Sequence, residues 1–93
     1  MARVEHDVEK LLQTYFHIRV MKVLASAKAP CTKYTVAKTS GVNHRTVDRI
    51  LKTLVEHSWV VKHPYKPVKY SVNTDNPVVK KLVEFMEEAG YIN

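Results

Sequence analysis

The stretch Gly41–Trp59, GVNHRTVDRILKTLVEHSW, constrains this chain more than any other. It reads as a turn followed by one helix with two unlike sides. Gly41 supplies the positive φ of a tight turn. Asn43 is an N-cap, its side chain placed to accept a bond from a backbone N–H that the first helical turn leaves unpaired. Val47, Ile50, Leu51 and Leu54 fall at i, i+3, i+4 and i+7, so one side of the helix demands a core. At about 100° per residue, Arg45, Arg49 and Lys52 fall on the other side. A helix anchored along its back and basic along its front is either a surface helix with solvated charges or a helix built to lie against a polyanion. Its neighbours decide between the two.

Before it, Thr32 is an N-cap for a short helix over 33–40, with Tyr34, Val36 and Ala37 as its buried side. Thr39-Ser40-Gly41 is the turn between the two helices, a helix-turn-helix arrangement. Further back, Pro30 ends a preceding helix, because it disfavours helical geometry at Ala29 and offers no backbone donor. From Val4 to Ala29 there is neither Gly nor Pro. Val8, Leu11, Leu12 and Tyr15 form one apolar stripe there, and Val20, Met21, Val23 and Leu24 another. The apolar face drifts between them, so the segment is one long helix serving two partners or two helices that meet. A single helix over 4–27 would be roughly 36 Å long, more than a small domain needs.

After Trp59, which reads as core at the root of a hairpin, the period changes. Val60-Val61-Lys62-His63 reads as a strand, and Pro64-Tyr65-Lys66-Pro67 as a turn. Val68 to Asn73 alternates and returns, with Val68, Tyr70 and Val72 on one face. The two-stranded hairpin must lean on the helices, because alone it is marginal. Asn76 caps a last helix whose first residue is Pro77, and Gly90 stops it. Val79, Leu82, Val83 and Met86 make its apolar stripe. The fold class is therefore mainly α with a small β-hairpin (α+β), one domain over 1–93.

Charge sharpens this order. The chain carries a net +6. Residues 31–73 hold eight basic side chains (Lys33, Lys38, Arg45, Arg49, Lys52, Lys62, Lys66, Lys69) and two acidic ones (Asp48, Glu56), whereas residues 74–93 hold two basic and four acidic. A positive field concentrated on the helix-turn-helix and hairpin is the footprint of polyanion binding.

The element order and spacing resemble the winged helix-turn-helix family. The residues that carry the resemblance are RVMKVLAS, TKYTVAKTSGVNHRTVDRILKTL and VVKHPYKPVKYSV, covering about 19–73. This part is similar to the DNA-reading domains of bacterial and archaeal transcriptional regulators of the MarR, ArsR and IclR kinds. Segments 1–18 and 74–93 are helical extensions. The small size and added terminal helices look like small regulators of archaea and their viruses.

The resemblance implies a recognition helix over 43–57 in the major groove and a wing over 60–73 on the backbone or minor groove. It places His44, Arg45, Asp48 and Arg49 at base edges. Asp48 accepts from cytosine or, the favoured role, orients a neighbouring Arg; an i,i+4 pair with Lys52 is its simpler alternative. Thr46 and Lys52 are expected on phosphate, as are Thr32 and Lys33 at the start of the preceding helix. In the wing, Lys66 at the tip, Lys62 or Lys69 beside it, and Tyr65 along the sugar-phosphate are the expected contacts. A homodimer is expected through Val8, Leu11, Leu12 and Tyr15 with Val79, Leu82, Val83 and Met86.

Other classes fit poorly. The histidines form no metal-ligand spacing and Cys31 is the sole cysteine, so no metal, cofactor or disulfide framework is expected. Cys31 reads as a small buried hydrophobe in preference to an intersubunit disulfide. No catalytic motif, small-molecule site or signal peptide is evident, and no apolar run approaches the ~18 residues of a membrane span. The expected function is that of a sequence-specific regulator binding double-stranded DNA as a homodimer in the cytoplasm, associated with the nucleoid when bound. A non-specific architectural DNA-binding protein and a winged helix used for protein–protein contact are the competing readings.

Overall fold

A computed structural model describes residues 15–92. Val8, Leu11 and Leu12 lie outside the described residues. Helix α1 occupies 15–26 and sends Val20, Met21 and Leu24 into the core. The chain then crosses Pro30 into a short strand, β1 (Cys31–Thr32), and helix α2 (Lys33–Ser40). Thr32 caps α2 as expected, its Oγ1 accepting from Thr35 N–H at 3.1 Å. Gly41 ends α2 with φ 72°, its N–H donating to the Ala37 carbonyl. A residue with a Cβ rarely holds that backbone conformation, which is why Gly stands there.

Two residues separate this glycine from helix α3 (His44–Glu56). Val42 is buried, and its N–H donates to Ser40 Oγ at 3.2 Å. Asn43 caps α3 by accepting from Thr46 N–H. The stripe Val47, Ile50, Leu51 and Leu54 is buried, as its spacing required. Val36 and Ala37 of α2 and Val20, Met21 and Leu24 of α1 belong to the same core, to which α1, α2 and α3 all contribute.

The sheet departs from the expected hairpin. Strands β2 (Val60–His63) and β3 (Lys69–Val72) pair antiparallel, Val60 opposite Val72 and Lys62 opposite Tyr70. The outer side of β3 also pairs with β1, Cys31 opposite Tyr70 and Thr32 opposite Lys69. The sheet is therefore three-stranded in the order β1-β3-β2. Two extended residues show no local period, so nothing local marks β1. Its strand character comes from a partner distant in sequence. The third strand ties the wing to the start of α2, a positioning that a free hairpin lacks.

Helix α4 (Pro77–Glu88) begins at the expected Asn76 cap with Pro77 at its first position. It ends in a Schellman arrangement: Gly90 N–H donates to the Glu87 carbonyl and Tyr91 N–H to the Met86 carbonyl. The side amides of Asn73 and Asn76 both donate to the Ser58 carbonyl, joining the end of α3 to the start of α4. Val79 and Met86 are buried inside this chain, and Leu82 and Val83 pack partly buried against the same core. Two of the four α4 residues expected at an intersubunit contact, Val79 and Met86, therefore cover the monomer's own core. The apolar side chains that α4 leaves exposed are Val78 and Phe85.

Candidate nucleic-acid interface

The outward side of α3 is polar along its length. His44, Arg45, Asp48, Arg49 and Lys52 are exposed, and Thr46 is half-buried. Arg45 and Arg49 stand one turn apart, and Lys52 follows within the next turn. Because the opposite side is sealed in the core, this row cannot roll away from a ligand. The basic front seen in sequence is a real surface.

Two clefts border this side of α3, one between the start of α2 and the wing, the other along α3 from Asp48 to Glu56. The first, about 470 Å³, is lined by Thr32, Lys33, Tyr34, His44, Lys62, Pro67, Val68 and Tyr70. The second, about 330 Å³, is lined by Lys33, Asp48, Lys52, Val55, Glu56, Lys62 and Tyr70. Lys33, Lys62 and Tyr70 border both. The start of α2, the front of α3 and the base of the wing therefore form one continuous basic surface.

Strand alternation sorts the wing residues. Lys62 lies opposite Tyr70, on the face that turns toward α3, whereas Lys69 lies opposite His63 and Thr32 on the other face. Tyr65 and Lys66 are exposed at the tip, which contains a cis Lys66–Pro67 peptide. The Tyr65 ring stacks on His63 with centroids 5.2 Å apart, and His63 Nε2 is hydrogen-bonded to Ser71 Oγ. That contact holds the tip aromatic in place. Of the four wing contacts expected from the sequence, Lys62, Tyr65, Lys66 and Lys69, Lys62 alone borders these two clefts.

Asp48 departs from two of its three expected roles, orienting an arginine and pairing with Lys52. Its carboxylate pairs with neither an Arg nor Lys52. It accepts a hydrogen bond from the Lys33 ammonium at the start of α2, closing an ion pair across the helix-turn-helix. The hydrogen bond to Lys33 and the charges of Lys33, Lys52 and Lys62 hold the Asp48 carboxyl below the usual carboxylate range. The same bond raises the Lys33 ammonium. Both groups are thus charged throughout the neutral range. Thr32 is also engaged, its hydroxyl capping α2 and donating to Thr35 Oγ1 at 3.0 Å.

Tyr34 is the residue that sequence reading misplaced. The sequence pattern predicts it on the buried side of α2, yet it is 62% exposed, with its ring 5.7 Å from that of His44. The helical wheel held the signal: Tyr34 lies about 200° from Val36, so the two cannot share a face. Cys31 is a buried free thiol, and Trp59 packs partly buried against the core, both as expected. Among the described residues no cluster of metal-ligating side chains occurs, and no helix is long and apolar enough to cross a membrane.

No protein-family model and no curated protein matches this chain. Solved structures do. The Zalpha domain of PKZ from Carassius auratus, in complex with Z-DNA, is similar at TM-score 0.60 and 23% identity, over 66% of this chain and 97% of that one. A MarR family transcriptional regulator from Silicibacter pomeroyi DSS is similar at TM-score 0.65 and 16% identity, over 95% of this chain and 63% of that one. This chain thus spans less than two thirds of the regulator's length. The protein has a winged helix-turn-helix fold, with α2 and α3 as the helix-turn-helix and β2–β3 as the wing.

Proposed function

We propose that this protein is a transcriptional regulator that binds specific double-stranded DNA sequences as a homodimer. One observation carries the proposal: Arg45, Arg49 and Lys52 are exposed along a helix whose other side is buried. Two structural neighbours, one in complex with Z-DNA and one a MarR family transcriptional regulator, support DNA binding and a regulatory role. In this reading α3 enters the major groove. Arg45 and Arg49 reach base edges, where a bidentate Arg–guanine contact is worth about 1–3 kcal/mol of discrimination. Thr46 and Lys52 bind phosphate, as do Lys33 and Lys62 at the cleft, while Tyr65 and Lys66 follow the backbone at the wing tip.

Selection of binding sites from a random duplex pool, followed by anisotropy titrations, tests this. Arg45→Ala and Arg49→Ala are each expected to weaken the selected site about 5- to 100-fold and to affect random duplex much less. No effect from either substitution sinks the reading. A pool that returns no motif, with steep salt dependence retained, means a non-specific architectural protein. Failure to bind any duplex at low salt means a protein-interaction module.

The Zalpha likeness motivates a second reading, in which the ligand is a left-handed duplex. Circular dichroism of an alternating d(CG) duplex checks it. Inversion of the spectrum on adding protein supports left-handed binding; an unchanged right-handed spectrum with intact affinity eliminates it.

The homodimer is supported by exposed apolar side chains on the terminal helices, Tyr15 and Ile18 on α1 and Val78 and Phe85 on α4. A twofold dimer would present its α3 helices to half-sites about 34–36 Å apart.

A further inference from the structure

We propose that Asp48 is a specificity-determining residue, resting on the DNA-binding reading above, which neutralises Lys33 until a cytosine amine in the major groove takes its place. The carboxylate sits among three lysines, with Glu56 the other acid at the same cleft. Lys33, Lys52 and Lys62 border the same cleft, and Arg45 and Arg49 flank Asp48 on α3. An acid there repels every phosphate that the surrounding cations attract.

Stability does not account for it. The pair joins side chains that are 40% and 60% exposed, for Lys33 and Asp48 respectively. Exposed pairs contribute little to folding. The consequence falls on recognition instead. Lys33 stands at the first position of α2, beside Tyr34 and His44, where a phosphate approaching the cleft would meet it. While Asp48 holds it, a complex made by backbone contacts alone gains little from Lys33 and is repelled by Asp48.

A cytosine presented to α3 changes both terms. Its N4 amine donates to the carboxylate. Asp48 then has a partner other than Lys33, and Lys33 is released to a phosphate. The correct base thus adds two favourable contacts and removes one repulsion, whereas a wrong base adds none. A group that penalises wrong partners more than right ones raises discrimination even where it lowers affinity.

A double-mutant cycle with Asp48→Ala and Lys33→Gln tests this by anisotropy on random and selected duplexes over a salt series. Both positions are exposed, so the variants are expected to fold, which circular dichroism checks. Asp48→Ala should tighten random-duplex binding several-fold and steepen the log–log salt slope by about 0.9, one added phosphate contact. It should also erase preference at one C·G position of the selected site and cut the selected-to-random ratio by about tenfold. Lys33→Gln should be nearly silent on random duplex in the wild-type background and costly in the Asp48→Ala background. Loss of the acid's charge alone would move the slope but leave the base preference of the selected site unchanged. If wild type binds DNA and Asp48→Ala binds random duplex no more tightly, or Lys33→Gln costs the same in both backgrounds, this inference is overturned alone. If wild type binds no duplex, the DNA-binding reading falls and takes this inference with it.

Discussion

Cys31 sits in β1, where its thiol donates weakly to the Ala29 carbonyl at 3.6 Å. Burial pushes its pKa up, and the charge of Lys69 pulls only partly the other way. A raised folded-state value means that the neutral thiol favours the native state. This contribution is complete below the ordinary thiol range and is lost as pH rises through the folded value. Since the thiolate is the reactive species, Cys31 should react slowly with a disulfide reagent at neutral pH and rapidly after denaturation. Absorbance of the released thiolate follows both rates. Fast native reaction would mean that β1 opens readily. The burial of this thiol was legible from composition, but its strand was not. Tyr34 shows the converse at the same scale: an aromatic side chain was read as core by its type, when its angular position on α2 already directed it outward.

At the scale of elements, α3 was the most legible part of the chain. A cap, an apolar stripe and a basic stripe are all local signals, and each appears where its spacing put it. Leu51 is 1% exposed at the centre of the stripe. Leu51→Ala should lower stability by about 3 kcal/mol through lost burial and a residual cavity. Asn43→Ala should cost about 1 kcal/mol by removing the cap. Arg49→Ala, on the other side, should stay within about 0.5 kcal/mol of wild type. Urea unfolding ranks the three, and a costly Arg49→Ala would mean that the basic side helps hold the fold. The caps Thr32 and Asn76 were equally legible. The wing was legible as two strands and a turn, but not as part of a three-stranded sheet, because a two-residue strand has no period to detect.

At the scale of the whole molecule, the spacing of α4 predicts an apolar stripe expected between chains, and two of its four residues, Val79 and Met86, turn into the core of the same chain. Spacing states that a face must be covered; it does not state by what. The core of the same chain covers Val79 and Met86, leaving Phe85 66% exposed. If the proposed dimer uses this outer face, Phe85→Glu should shift the mass measured by light scattering toward that of one chain while leaving the helical signal unchanged. Wild type at the mass of one chain would end the dimer proposal. Charge is the other property of this scale. The net +6 was legible from composition, and the fold converts it into a surface by bringing Lys33, Lys52 and Lys62 around a common cleft.

The sequence alone determined α2, α3 and α4, their N-caps, the Gly41 turn, the buried side of α3 and the concentration of positive charge, because each arises from interactions within a few residues. Tertiary structure decided the rest. It added β1 to the sheet, sent the α4 stripe into the monomer core, set Tyr34 against His44, and joined Asp48 to Lys33 rather than to Lys52 or an arginine. Each of these is a choice among partners of similar chemistry. Distance in the folded chain makes that choice, and local spacing does not encode it.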